Sequence, residues 1–133
     1  MQLEFLDYDF SEVKKNAIGQ PPRAIDSKID LTNASLAKDI LELNFVYSVS
    51  YLPDKSTIRI GGRARFSGSG AKAVFAEWRK SRQVTGAEGE YIINTINYST
   101  STNAMLIARA FNLSPPIIPP IIRLSAAKLK KKK

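Results

Sequence analysis

Apolar and polar positions alternate with a period of two through most of residues 1–66, and the period lengthens to three and four after residue 70. That change of rhythm predicts strands first and helices second. The clearest signal is central. Leu41, Leu43, Phe45, Tyr47, Val49 and Tyr51 alternate with Glu42, Asn44, Ser48 and Ser50, and only Val46 breaks the outer set. Pro53 to Ser56 turns the chain. Ile58, Ile60, Gly62, Ala64 and Phe66 then resume the alternation, with Arg59, Arg63 and Arg65 on the opposite face. One greasy face and one polar face predict an antiparallel hairpin lying on a core. Ahead of it, Leu3, Phe5, Tyr8 and Phe10 recur among polar residues, with parity switching between Phe5 and Leu6, so a strand carrying a bulge is predicted there. Asn16 to Arg23 reads as a turn-rich loop. Ile25, Ile29 and Leu31 alternate with Asp26, Lys28 and Asp30 as a second, half-exposed strand.

Ser67 to Gly70 ends the last strand and opens a helix over residues 70–83, with Ser69 as its N-cap. Ala71, Val74, Phe75 and Trp78 share one face of it. Gly86 to Gly89 reads as a break, and a second helix is predicted from Glu90 to Phe111, its carboxylates suiting the positive end. Its stripe is Ile93, Ile96, Thr100, Ala104, Ile107 and Phe111. The polar stretch Ser99 to Asn103 is a poor helix former and leaves open a division into two. Leu113 to Ile122 holds four prolines, which lack the N–H, so it is predicted to be extended and to lie over apolar surface, its own or a partner's. The organisation expected is a domain over residues 1–112, then an extended Pro/Ile segment and lysine tail over 113–133.

With strands first, a central hairpin over Asp39–Leu52 and Thr57–Phe66, a helix opened by Gly68-Ser-Gly70 and a long second helix, the chain resembles the SecB-like family of protein-export chaperones, particularly archaeal relatives. Tyr91-Ile-Ile-Asn-Thr-Ile96 and Ala108-Arg-Ala-Phe-Asn-Leu-Ser-Pro-Pro116 carry the resemblance, which runs from about Leu3 to Ile122. It implies an α+β fold: an antiparallel sheet of about four strands with two C-terminal helices on one side. It also implies dimers or tetramers that hold unfolded chains along apolar grooves, for which Phe75, Trp78, Ile117, Ile118, Ile121 and Ile122 are the candidates. The export chaperones are acidic, whereas this chain has a pI near 9.8. In that it is similar to the small basic proteins of archaeal ribosomes, where a globular domain is pinned by a basic extension.

Charge sharpens that contrast. The net charge is +8, and residues 1–90 account for only +1 of it. Beyond Glu90 there is no carboxylate, only Arg109, Arg123, Lys128, Lys130, Lys131, Lys132 and Lys133. Such segregation does nothing for a core but attracts polyanions. The arginine stripe Arg59, Arg63 and Arg65 suits bidentate phosphate contact, or equally is a solvated sheet face paired with Glu42 or the acids of the first strands, and Lys72, Arg79, Lys80 and Arg82 add a basic helix surface that a solvated face also explains. The leading expectation is therefore a non-enzymatic RNA-binding protein of archaeal type, ribosomal or ribosome-associated, with rRNA of the large subunit as partner. The alternative is a free cytosolic holdase for nascent or unfolded polypeptide.

Other chemistries recede. The chain has no cysteine and no histidine, which removes thiolate chemistry, Cys-based metal sites and the usual general base. Asp7/Asp9, Asp26/Asp30 and Glu88/Glu90 come with no nucleophile or base, and no cofactor is expected. Gly68 to Lys72 lacks the spacing and ending of a nucleotide P-loop and reads as a strand-to-helix turn. No apolar run reaches the roughly 18–20 residues of a membrane span. The acidic, alternating start is unlike a signal peptide, so a cytoplasmic location is expected.

Overall fold

The computed structural model describes residues 1–16, 22–53 and 55–116. The middle of the predicted loop, Asp54, and everything from Ile117 onward lie outside the described residues. That last group takes in Ile118, Ile121, Ile122, Arg123, Lys128 and Lys130 to Lys133.

Four strands form one antiparallel sheet: β1 (Gln2–Lys14), β2 (Ala24–Ala37), β3 (Ile40–Leu52) and β4 (Thr57–Ser67). Their spatial order is β1-β4-β3-β2. Three strands follow one another through hairpins, and the first lies beside the last, a Greek-key arrangement. Two helices, α1 (Ala71–Ser81) and α2 (Gly86–Ala110), cover the apolar face. The predicted α+β class holds, and the reason the central hairpin is so legible is now visible. β3 and β4 are the inner strands, and Leu41, Leu43, Phe45, Tyr47, Val49 and Tyr51 are all essentially inaccessible. A strand buried on one face and paired on both edges leaves little freedom in its pattern.

β1 departs from expectation. Its pairing with β4 shifts register twice, between Leu3 and Phe5 and between Tyr8 and Phe10. Each extra residue flips the side chains that follow. Leu3, Leu6, Tyr8 and Val13 pack against the core, and Phe5 and Phe10 lie on the outer face of the sheet. There Phe5 sits beneath the Arg65 guanidinium at 5.0 Å and Phe10 beneath Arg59 at 5.7 Å. A third shift in β2, between Leu31 and Asn33, carries that strand on to Ala37.

The helix boundaries also move. Ser69 does not cap α1; Gly70 does, in a left-handed conformation at φ 99° that glycine adopts without penalty, and the first turn closes through backbone groups. The interhelical break is not Gly86–Gly89 but residues 82–85. Arg82 ends α1 with its N–H on the Trp78 carbonyl at 2.7 Å. Glu77 then clasps the corner, accepting from the Thr85 N–H at 3.3 Å and the Thr85 hydroxyl at 2.5 Å. Gly89 falls on the buried face of α2.

α2 is one helix. Through its polar middle, Thr102 donates to the Tyr98 carbonyl and Asn103 to the Ser99 carbonyl, so the side chains bond along the helix instead of breaking it. Tyr8 of β1 meets this region, its hydroxyl 2.8 Å from Ser99 Oγ and 3.3 Å from Thr100 Oγ1. The buried stripe is Ile92, Ile93, Ile96, Thr100, Ala104 and Ala108. Phe111, predicted to end it, is exposed, and the stripe turns onto Ala108 because the helix stops at Ala110.

The core has two parts. One gathers Leu41, Leu43, Phe45, Ala64 and Phe66 beneath α1 and the first half of α2. The other gathers Tyr47, Val49, Tyr51, Ile58 and Ile60 beneath Ala104, Ala108 and Leu113. Beyond α2 the chain folds back onto this second part: Leu113 and Pro116 are buried, and the Tyr51 hydroxyl donates to the Ser114 carbonyl at 2.6 Å. Burial pushes the Tyr47 phenol up to about 12 from 10.0, against an opposing pull from Ser27 that falls short of a formed hydrogen bond. Burial raises Tyr51 as well.

Candidate functional site

The outer face of the sheet shows what the arginine stripe does. Arg65 pairs with Glu42 at 2.7 Å and Arg59 with Glu12 at 3.3 Å, and Arg63 stands in register between Asp7 and Asn44. Asp26 and Asp30 share this face, and Lys28 pairs with Asp30 at 3.6 Å. Carboxylates therefore match cations across it, and its field is close to neutral. The stripe reads as a solvated face with its charges compensated, which does not favour the phosphate contacts expected from sequence.

α1 is different. Lys72, Arg79, Lys80 and Arg82 project from it, no acidic residue occupies its first turn, and its one carboxylate, Glu77, is turned to Thr85. Arg79 lies 5.7 Å from the Phe75 ring centre and Arg82 4.3 Å from that of Trp78. These stacked guanidinium groups are held in place on a positive surface. The aromatic pair lies where its shared helix face with Ala71 and Val74 puts it, against the core, and not where the family resemblance implies. Trp78 is only 5% exposed and belongs to the core, and Phe75 is half-buried, so neither ring is presented as an open groove wall.

An opening that sequence reasoning did not find lies between β1 and α2. A cavity of about 380 Å³ is walled by Tyr8, Phe10, Ile60 and Ile107, with Asp9, Ser11 and Asn103 among them. The second register shift of β1 falls here, between Tyr8 and Phe10, and holds the edge strand away from a regular ladder. The result is a mixed apolar and polar recess beside the outer edge of the sheet. It offers room for an apolar side chain, with hydroxyl, amide and carboxylate groups within the lining to meet main-chain groups. No cluster of His, Cys, Asp and Glu able to hold a metal is present among the described residues. Among those residues, too, no helix is long and apolar enough to cross a membrane.

With this geometry the comparison with solved structures is informative. The fold is SecB-like. The chain matches the Mycobacterium tuberculosis Rv1957 SecB-like chaperone, solved in complex with a ChAD peptide from the Rv1956 HigA1 antitoxin, with a TM-score of 0.60 over 91% of this chain and 87% of that one. Sequence identity is 10%, so the likeness is one of architecture. No family model matches the sequence, and no curated protein does.

Proposed function

We propose that this protein is a non-enzymatic, cytoplasmic polypeptide-binding chaperone that holds unfolded segments against apolar surface. The observation that carries this reading is the likeness, over nearly the whole chain, to a SecB-like chaperone that was solved with a bound peptide. The recess between β1 and α2 fits the role. Tyr8 and Ile107 would receive an apolar client side chain, Ser11 and Asn103 would bond to its backbone, and Asp9 would favour a basic neighbour. Ile117, Ile118, Ile121 and Ile122 would add apolar contact to the client. The intact protein is expected to suppress aggregation of a thermally unfolded client. Ser11→Lys combined with Asn103→Lys should abolish suppression while far-ultraviolet circular dichroism stays unchanged. No suppression by the unmodified protein would end this reading.

A second reading rests on α1. Its cationic surface, with Arg109, Arg123, Lys128 and Lys130 to Lys133, supports binding of a polyanion, for which rRNA of the large subunit remains the candidate. The archaeal ribosomal setting rests on charge patterning alone. The fold likeness supports the chaperone reading over this one.

A further inference from the structure

Part of the apolar face of the sheet has no helix over it. α1 packs on β2 and β3, and α2 on β4. The buried residues of α1 all belong to the first core, and it gives none to the second. Among the described residues the roof of the second core is Ala104, Ile107, Ala108 and Leu113. On β2, Ile25 and Ile29 are half-buried against that core, and Ser27, between them on the same face, is exposed. This is a trough floored by an edge strand. At its inner end Ile29 packs against both cores, and there the first core holds Trp78, whose indole N–H is buried without a hydrogen-bond partner among the described residues. The chain runs into the other end. After α2, Leu113 and Pro116 are buried and Pro115 is exposed. The Tyr51 hydroxyl holds the Ser114 carbonyl at 2.6 Å, and Tyr51 pairs with Ile25 in the ladder.

We propose that the trough is a polyproline-binding site and that its occupant is residues 117–122 of the same chain, which lie outside the described residues. Burial at Leu113 and again at Pro116 sets a period of three, the turn of a polyproline helix. Continued, that edge takes in Pro119 and Ile122 and is apolar at every step, while Ile118 and Ile121 follow the exposed Pro115. The reach suffices. Six residues beyond Pro116 span about 19 Å at 3.1 Å each, against about 13 Å from Ile25 to Ile29. The chemistry matches too. Four of the ten residues from Leu113 to Ile122 are prolines without an N–H, so carbonyls outnumber donors, and Trp78 Nε1 is a donor without an acceptor. A carbonyl of Pro119 or Pro120 supplies it, repeating the bond that Tyr51 makes to Ser114. Aromatic grooves hold polyproline segments in this way. Docked, the strap closes the bare side of the second core and turns Ile118 and Ile121 outward as a fixed apolar ridge. It does not rest on the chaperone reading; where that reading holds, the ridge is the part of the segment that a client meets.

Trp78 is the only tryptophan of the chain and there is no cysteine, so the full chain can be tested with two clean readouts. The Trp78 indole proton should exchange slowly with solvent. Ile122→Asp, on the inner edge, should speed that exchange several-fold and shift tryptophan emission to the red. Ile121→Asp, on the outer edge, should change neither, and helix content should be equal in both. Ile117, about 9 Å beyond Ser114, comes beside Ser27, about 7 Å beyond Ile25. Under mild oxidation Ser27→Cys with Ile117→Cys should therefore link within one chain. Ser11→Cys with Ile117→Cys, which sets the second thiol in the recess between β1 and α2, should not. A link from position 11, a link from position 27 that joins two chains, no link at all, or equal effects of Ile121→Asp and Ile122→Asp on the indole would each overturn the proposal. None of these readouts involves a client, so failure of the strap is told apart from failure of the chaperone reading.

Discussion

At Gly62 there is no room for a methyl group. A Cβ built there would lie 2.0 Å from the Asp7 carbonyl oxygen and 2.9 Å from the Tyr8 Cα, both backbone atoms of β1 held in the ladder. At Gly61 the obstacle is the Phe10 ring, 2.0 Å away, but that ring is a surface side chain that can swing aside. Gly62→Ala should therefore destabilise the fold by about 1–3 kcal/mol or more, and Gly61→Ala by under about 1 kcal/mol, the loss of a surface cation–π contact. Urea midpoints compare the two. Tyr47 supports a prediction of another kind. Its hydroxyl is buried without a hydrogen-bond partner among the described residues, and its folded pKa of about 12 exceeds the ordinary 10.0. The native state thus binds the proton more tightly than the unfolded chain does. Stability linked to this phenol is whole below pH 10 and is lost as pH climbs toward 12. Tyr47→Phe should leave neutral-pH stability unchanged or raised and should flatten the alkaline limb of an unfolding-midpoint profile. Phe10 shows how far single residues could be read from sequence. One parity switch between Phe5 and Leu6 would set it on the face of Tyr8, whereas a second extra residue between Tyr8 and Phe10 turns it outward, and nothing in local composition says where that residue falls.

Among the elements, β3 and β4 were legible throughout, because inner strands with one buried face tolerate few exceptions. The start of α2 was not. Two glycines at 86 and 89 signal a break, yet the corner is made by Glu77 reaching Thr85, a contact across eight residues that no local propensity registers. Glu77→Ala should loosen that corner at a cost of about 1–2 kcal/mol, the value of a helix-capping interaction. Thr85→Ala should cost no more in the Glu77→Ala background than in isolation. A double-mutant cycle on thermal midpoints measures the coupling. The polar middle of α2 was misleading for a related reason. Ser, Thr and Asn there count against a helix only while their side chains compete with it, and in the folded chain they bond along it.

For the whole molecule, the arginine stripe gives the clearest lesson. Arg59, Arg63 and Arg65 are visible as a one-sided positive row with acids available to compensate it, but that Glu12 meets Arg59 and Glu42 meets Arg65 depends on strand order, which is not written in the stripe itself. Any polyanion attraction is thereby concentrated on α1 and the lysine-rich end. Binding of rRNA, measured by filter retention across a salt series, should give a steep falling log–log plot. Deleting Lys130 to Lys133 should flatten its slope by up to about 3–4 units if all four meet phosphates. Arg65→Ala should leave the slope unchanged. The candidate recess escaped sequence reasoning because it needs Tyr8 and Phe10 of the first strand beside Ile107 of the last helix, residues from opposite ends of the folded domain.

α2 spans both apolar cores, with Ile92 and Ile96 set in one and Ala104 and Ala108 in the other. A rod shared by two reservoirs of buried surface denies either of them an independent melting point. Heat should take the protein apart as a single cooperative unit, with no half-open species left for proteases to find.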